Sequence, residues 1–317
     1  MPKVWLTAVT AGIVLLGNVA APMACAAPTR QDADPVPDSA ALEAAFDSYM
    51  QASVQNAQFS GTVLVAKDGV PVFRRSYGLA SHELNLPNTG ETTYQLQSIT
   101  KPFTAILIMQ LQEDGRLNIN DRACDYLADC PAAWRAVTLR HLLTHTSGIE
   151  SYSRLPDWDE TLDARTYWRA GAAALMRDRP LLSEPGTRYR YSNTGYDLLG
   201  LIAERVSGKP LAQMYRERIL GPAGMTHTGL HTSRLVVPNA ATGYYSLGST
   251  FISATPQSPT VSYGSGGLFS TVDDLLLWDQ ALYADRILSA ASYARMIADA
   301  ENNYGLGWEM RTWLGRR

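Results

Sequence analysis

Lysine is nearly missing from this sequence: four residues in 317, at positions 3, 67, 101 and 209, against 23 arginines. Cysteine is equally scarce, with three. An apolar run long enough to cross a bilayer is absent, which excludes a polytopic membrane protein. Neither sign of charge dominates, the formal net charge being −3, so nothing points to a nucleic-acid or membrane-surface role. The motifs H-E-x-x-H, G-x-S-x-G, the P-loop and the dinucleotide fingerprint are all missing, as is any cysteine–histidine grouping suited to zinc. These absences leave a cofactor-free and metal-free chemistry as the expectation. What remains is a composition of ordinary globular type, 46% apolar and 18% charged. The length allows one large or two small domains. There is no internal repeat or low-complexity block.

The first residues have their own character. Lys3 precedes an apolar stretch from Val4 to Leu16, followed by small residues ending in Ala24-Cys25-Ala26. That pattern predicts a secretory signal peptide over residues 1–26 and a periplasmic or secreted protein. An N-terminal anchor is the alternative, disfavoured because Gly17 and Asn18 end the run early. Cleavage near Ala26 would remove Cys25 and leave Cys124 and Cys130 in an oxidising compartment. Five residues separate these two, which brings their Cα atoms within bridging reach and predicts a local disulfide, with two buried free thiols as the alternative.

Residues 27–40 carry Asp32, Asp34, Pro35 and Pro37 and read as a linker. Beyond it, the remainder 41–317 reads as one domain, expected to be monomeric. Asp38 can cap a helix to about Asn56, with Leu42, Phe46, Tyr49 and Val54 near one face. Strands at 61–67 and 70–77 flank Asp68-Gly69, a tight-hairpin turn. A helix runs from Thr100 to Gln112 and stops at Gly115, and another from Tyr196 to Val206 before Gly208 and Pro210. Ser270 with Asp273 opens a further helix, and Tyr304 to Leu314 reads as a strand. Strands at both ends with helices between predict a mixed α/β (α+β) chain, one discontinuous sheet domain with a helical insertion.

One place combines several chemical signals. Ser98-Ile99-Thr100-Lys101 sits at a helix start, and a spacing of three puts hydroxyl and amine on one face. A serine needs a base to become a nucleophile, and a desolvated lysine can supply it. In a chain so biased to arginine, a lysine here is informative, because guanidinium does not give up its proton. The helix N-terminus adds N–H donors for a developing oxyanion. A capping serine beside a solvated lysine is the plain alternative. Further along, Tyr191-Ser192-Asn193 forms a Y-x-N triplet on a loop, where tyrosine can shuttle a proton and asparagine can bond a substrate amide. His141 and His145, four apart, read as a structural pair because no third ligand accompanies them.

Together these landmarks resemble the serine β-lactamase-related hydrolases, nearest to class C β-lactamases, D,D-peptidases and related esterases. The resemblance runs from Phe59 to Met310 through Phe59-Ser60-Gly61, Ser98-Ile99-Thr100-Lys101, Leu142–Gly148, Tyr191-Ser192-Asn193, Gly266–Ser270 and Gly305–Met310. It implies a β-lactamase/transpeptidase-like fold, an antiparallel sheet flanked by helices with a mostly helical subdomain. It also implies Ser98 as nucleophile, Lys101 as its base, Tyr191 as acid/base, and Asn193 as a substrate contact. Tyr152 is expected to face substrate, and His145 to brace the loop around Ser147-Gly148.

The resemblance further implies a third motif, K-T-G or H-x-G, several dozen residues beyond Trp308. His227-Thr228-Gly229 spells H-x-G, but only 34 residues after Asn193, where the family has a loop following a helix, so it reads as a decoy. The expectation is therefore an incomplete chain lacking its C-terminal sheet strands, poorly stable and weakly active by itself. The reading that follows is a secreted serine hydrolase forming an acyl-enzyme on Ser98 from a β-lactam, a D-Ala-D-Ala peptide or a small ester. The alternative is an impaired relative that binds peptidoglycan or a partner protein.

Overall fold

The computed structural model describes residues 39–56, 59–156, 158, 171–232, 234–247, 250–254, 258, 261–298 and 302–311. The expected signal peptide and almost all of the expected linker lie outside the described residues. The chain divides into two compact units, one made of residues 1–92 and 241–254, the other of 93–240 and 255–317.

The first unit begins with helix α1 (Ser39–Gln55). Its half-buried apolar positions are Leu42, Phe46, Met50 and Val54, while Tyr49 is exposed, so Met50 takes the place expected for Tyr49. Phe46 packs on Phe73 at 5.4 Å between ring centroids. Strands β1 (Gly61–Lys67) and β2 (Val70–Tyr77) form the expected hairpin, closing Lys67 onto Val70. Asp68 and Gly69 both have positive φ, +52° and +76°, as a type I′ turn demands. Short strands β3 (Leu79–Ser81) and β4 (Leu86–Pro87) follow.

The chain then enters the second unit through β5 (Tyr94–Gln95), a 3-10 turn at Gln97–Ile99 and helix α2 (Thr100–Glu113). Every residue of α2 from Thr100 to Leu111 is buried. A helix apolar all round belongs inside a core rather than on its surface. Gly115, at φ +66°, follows its end. Helix α3 (Leu139–Leu143) starts at Thr138, whose hydroxyl accepts the His141 amide while His141 Nδ1 accepts the Thr138 amide. Then come α4 (Gly171–Ala174), α5 (Asn193–Ser207), α6 (Leu211–Tyr215), a π-type turn, α7 (Gly221–Ala223) and β6 (Gly229–Leu230). Helix α5 begins three residues before its expected start, because Ser192 caps it by accepting the Gly195 amide. Of the Y-x-N triplet, Tyr191 and Ser192 lie on the loop as expected, and Asn193 is the first residue of the helix.

Strands β7 (Tyr244–Leu247) and β8 (Thr250–Ser253) return to the first unit as a hairpin. The second unit resumes with β9 (Leu268–Ser270), α8 (Val272–Tyr283) and α9 (Ala290–Ala298). β9 pairs antiparallel with β5 on one side and β6 on the other. The cap of α8 is Thr271, accepting the Asp274 amide, and not Ser270, which belongs to β9. The expected strand from Tyr304 is instead a tight loop closed by a single bridge, Tyr304 to Glu309, with residues 312–317 outside the described set. Mixed helices and antiparallel strands are as expected, but the described strands form four small sheets rather than one.

Core packing joins α2 to the later elements of this unit. Phe103 stacks on Trp278 at 4.3 Å, and Trp278 on Trp308 at 5.5 Å. Gly307 makes the last contact possible: a Cβ there would lie 2.6 Å from Ala105 Cβ, and its φ is +94°. Cys124 and Cys130 are joined by a disulfide with a Cα–Cα distance of 5.3 Å.

Candidate active site

Ser98 sits on the 3-10 turn leading into α2, preceded by Gln97 at φ +48°. A non-glycine residue held left-handed stores local strain, which the surroundings must hold in place. Here Leu96 donates its amide to Leu268 O at 2.8 Å, and the Leu268 amide reaches Thr100 Oγ1 at 3.1 Å. The nucleophile candidate is therefore anchored on a buried helix and on β9.

Lys101 Nζ lies 3.1 Å from Ser98 Oγ, 2.8 Å from Asn193 Oδ1 and 2.8 Å from the Ser265 carbonyl oxygen. The side chain is 1% exposed. Burial pushes its pKa down to about 7, against a smaller upward pull from Asp197. The two carbonyl-type partners can only accept. A neutral Lys101 must then spend its two N–H groups on them, and its lone pair is left facing Ser98. The faces of Tyr191 and Tyr196, with centroids 4.7 and 5.6 Å from Nζ, offer partial compensation when the amine is charged.

Tyr191 donates its hydroxyl to Ser98 Oγ at 2.6 Å. Burial pushes its pKa up to about 12, only partly offset by that bond. Asn193, the first residue of α5, is held by Ser151 and Ser153, its amide donating to Ser151 Oγ at 3.1 Å and its Nδ2 to Ser153 Oγ at 3.4 Å. Ser98, Lys101, Tyr191 and Asn193 thus converge although their sequence blocks lie some ninety residues apart. Such an arrangement can take a proton from a serine hydroxyl and return it to a leaving group.

One expected residue takes another place. Tyr152 is buried at 1% exposure, with its hydroxyl 3.0 Å from Ser265 Oγ and its ring 4.7 Å from that of Trp158. A side chain so enclosed cannot face substrate; it backs the segment that holds Lys101. His227-Thr228-Gly229 follows α7, and its His227 amide and Thr228 hydroxyl both donate to Asp274 Oδ2 at 2.7 Å. That triplet ties β6 to the start of α8.

His141 and His145 do separate work. His145 holds φ +58°, and its Nδ1 accepts the Ser192 amide at 3.1 Å. Tyr189, Tyr191, Tyr196 and Tyr304 surround its ring. Burial, and then the Lys101 charge, hold its pKa well below the usual range, so it is neutral beside Tyr191. Among the described residues no cluster of three or more His, Cys, Asp or Glu could hold a metal.

Sequence reasoning missed Ser265 and Asp197. Asp197 follows Asn193 by one helical turn on α5, and Ser265 immediately precedes the Gly266-Gly267 landmark, so both signals were available.

A family model described as Beta-lactamase matches residues 43–315. Penicillin-binding protein 4* of Bacillus subtilis (strain 168) is 33% identical, over 80% of this chain and 60% of the relative. The chain therefore spans about three-fifths of that relative's length. The crystal structure of a penicillin binding protein from Bacillus halodurans superposes with a TM-score of 0.74 at 28% identity, covering 84% of each chain. A D-stereospecific amidohydrolase from Streptomyces sp. gives a TM-score of 0.72 at 26% identity, covering 86% of this chain and 82% of that one.

Proposed function

The chain belongs to the beta-lactamase family of serine hydrolases, and from that membership we propose that it forms an acyl-enzyme on Ser98 and hydrolyses it. The observation that carries this reading is the placement of Ser98 Oγ between Lys101 Nζ at 3.1 Å and Tyr191 OH at 2.6 Å. Neutral Lys101 takes the Ser98 proton as Oγ bonds the acyl carbon. Tyr191 delivers a proton to the departing nitrogen or oxygen, and Lys101 restores it. Water then releases the acid. Positioned acid–base groups of this kind contribute roughly 100- to 10,000-fold each in rate.

The substrate has a reactive acyl bond: a β-lactam, a D-alanyl or other D-amino-acyl amide, or a small ester. Relatives described as penicillin-binding proteins and as a D-stereospecific amidohydrolase support the first two. The sequence signal at residues 1–26 supports action outside the cytoplasm.

The test is intact-mass analysis after incubation with penicillin and with a fluorophosphonate, alongside Ser98→Ala. One adduct on the native chain, absent from Ser98→Ala, is the expected result. An adduct that survives the substitution would assign the nucleophile elsewhere. Turnover of a chromogenic cephalosporin, a D-alanyl dipeptide and a short-chain ester then separates the substrate classes.

A further inference from the structure

Segment 264–268 is fastened to two helices by main-chain and side-chain bonds. Thr104 Oγ1 donates to Gly264 O at 2.6 Å, the Ser265 amide donates to Asp197 Oδ1 at 2.8 Å, and the Ser265 carbonyl accepts from Lys101 Nζ at 2.8 Å. Asp197 is fully buried on α5, and its Oδ2 accepts no hydrogen bond of ordinary geometry among the described residues. A carboxylate enclosed in this way is unfavourable unless hydrogen bonds or a compensating charge are near. Burial pushes the Asp197 pKa up to about 6, and hydrogen bonding with Ser265 and Tyr152 together with the charge of Lys101 pulls the other way, so the carboxyl is largely ionised at pH 7.

We propose that Asp197 is a positioning residue for Lys101: it fixes the Ser265 main chain whose carbonyl orients Nζ, and its charge stabilises the ammonium formed when Ser98 gives up its proton. The proposal rests on the assignment of Ser98 as nucleophile. Lys101 is also faced by Tyr191 and Tyr196 of the α5 region and by His145 after α3, while Asp197 is faced by Tyr152 and by Tyr215 of α6. Burial pushes the tyrosines up and His145 down, so all are neutral near pH 7. That leaves Asp197 as the group whose charge raises Lys101 against its burial.

Asp197→Asn keeps an oxygen for the Ser265 amide and removes the charge, with an amide nitrogen in place of Oδ2. The acylation rate of Ser98 should then fall roughly 10-fold or more, and its acid limb should move to lower pH by roughly one unit. A limb unmoved in Asp197→Asn would overturn the proposal. A second measurement leaves Asp197 intact and reads no activity. Linkage is reciprocal, so Lys101→Met should raise the titration midpoint of the Asp197 carboxyl, followed by 13C NMR, by a similar amount. An unchanged midpoint would also overturn the proposal. Because the NMR arm is independent of catalysis, failure of the Ser98 assignment is seen separately, as a missing adduct.

Discussion

Lys101 is held where a lysine is least able to stay charged, and the chemistry follows from that conflict. Its burial brings the pKa from the usual lysine range to about 7. A base must be neutral to accept a proton, so the rate of Ser98 acylation should rise with pH through about 7 and level off above it. Tyr191, pushed up to about 12, stays protonated across that range and adds no alkaline fall below pH 10. Stopped-flow acylation between pH 5 and 10 checks the profile, and a flat line across neutrality would remove Lys101 from the role. Lys101→Arg should lower the rate by about 100-fold or more, because guanidinium keeps its proton and its fork does not fit a site built for one nitrogen. The arginine bias of the sequence draws attention to its four lysines, and the spacing to Ser98 at a helix start, with the later Y-x-N triplet, is what points to this one. Asp197 and Ser265, which support it, were missed although each lies beside a landmark, because their spacing shows proximity to Asn193 and Gly266 but not the burial that makes them matter.

At the scale of elements, what could be read depended on whether local chemistry decided the outcome. The β1–β2 hairpin was legible because alternation, register and the Asp68-Gly69 turn agree. Helix α2 was legible in extent, while its burial on all sides comes from tertiary packing. The cap of α8 was misplaced because Ser270 and Thr271 are adjacent hydroxyls and backbone geometry chose Thr271, and the start of α5 was placed one turn late, at Tyr196, because the polar first turn after the Ser192 cap carries no apolar periodicity. The stretch from Tyr304 to Leu314 read as a strand entered through Gly305-Leu306-Gly307, yet its described part is a loop that Gly307 lets press on α2. Gly307→Ala should therefore destabilise the fold by about 2–4 kcal/mol, combining left-handed strain with overlap against Ala105. Gly115→Ala is the control: φ is also positive, at +66°, but nothing lies within 4 Å of the added Cβ. That variant should lose about 1 kcal/mol. Urea midpoints of the two variants measure the difference, and equal losses would show that the close approach to α2 costs nothing.

For the molecule as a whole, compartment and stability are linked through the cysteines. Of the three in the sequence, Cys25 falls within the expected signal peptide, and Cys124 and Cys130 pair with each other. Alkylation of exported protein without reductant should leave both of these unmodified by mass spectrometry. The bridge spans a sequence separation of only 6, so it closes a short loop and removes little freedom from the unfolded chain. The chain-entropy relation gives about 2 kcal/mol for a loop of this size. A domain of this length shifts by roughly 1.5–2 °C per kcal/mol, so reduction, or Cys124→Ser with Cys130→Ser, should lower the melting temperature by about 3–4 °C. The acylation rate at 25 °C should survive, because neither cysteine touches Ser98, Lys101, Tyr191 or Asn193. A much larger fall in melting temperature would mean that the bridge holds native packing around Trp134 and Val137 as well as restricting the unfolded state. No fall at all, together with two alkylated thiols in protein taken from an oxidising compartment, would refute the pairing.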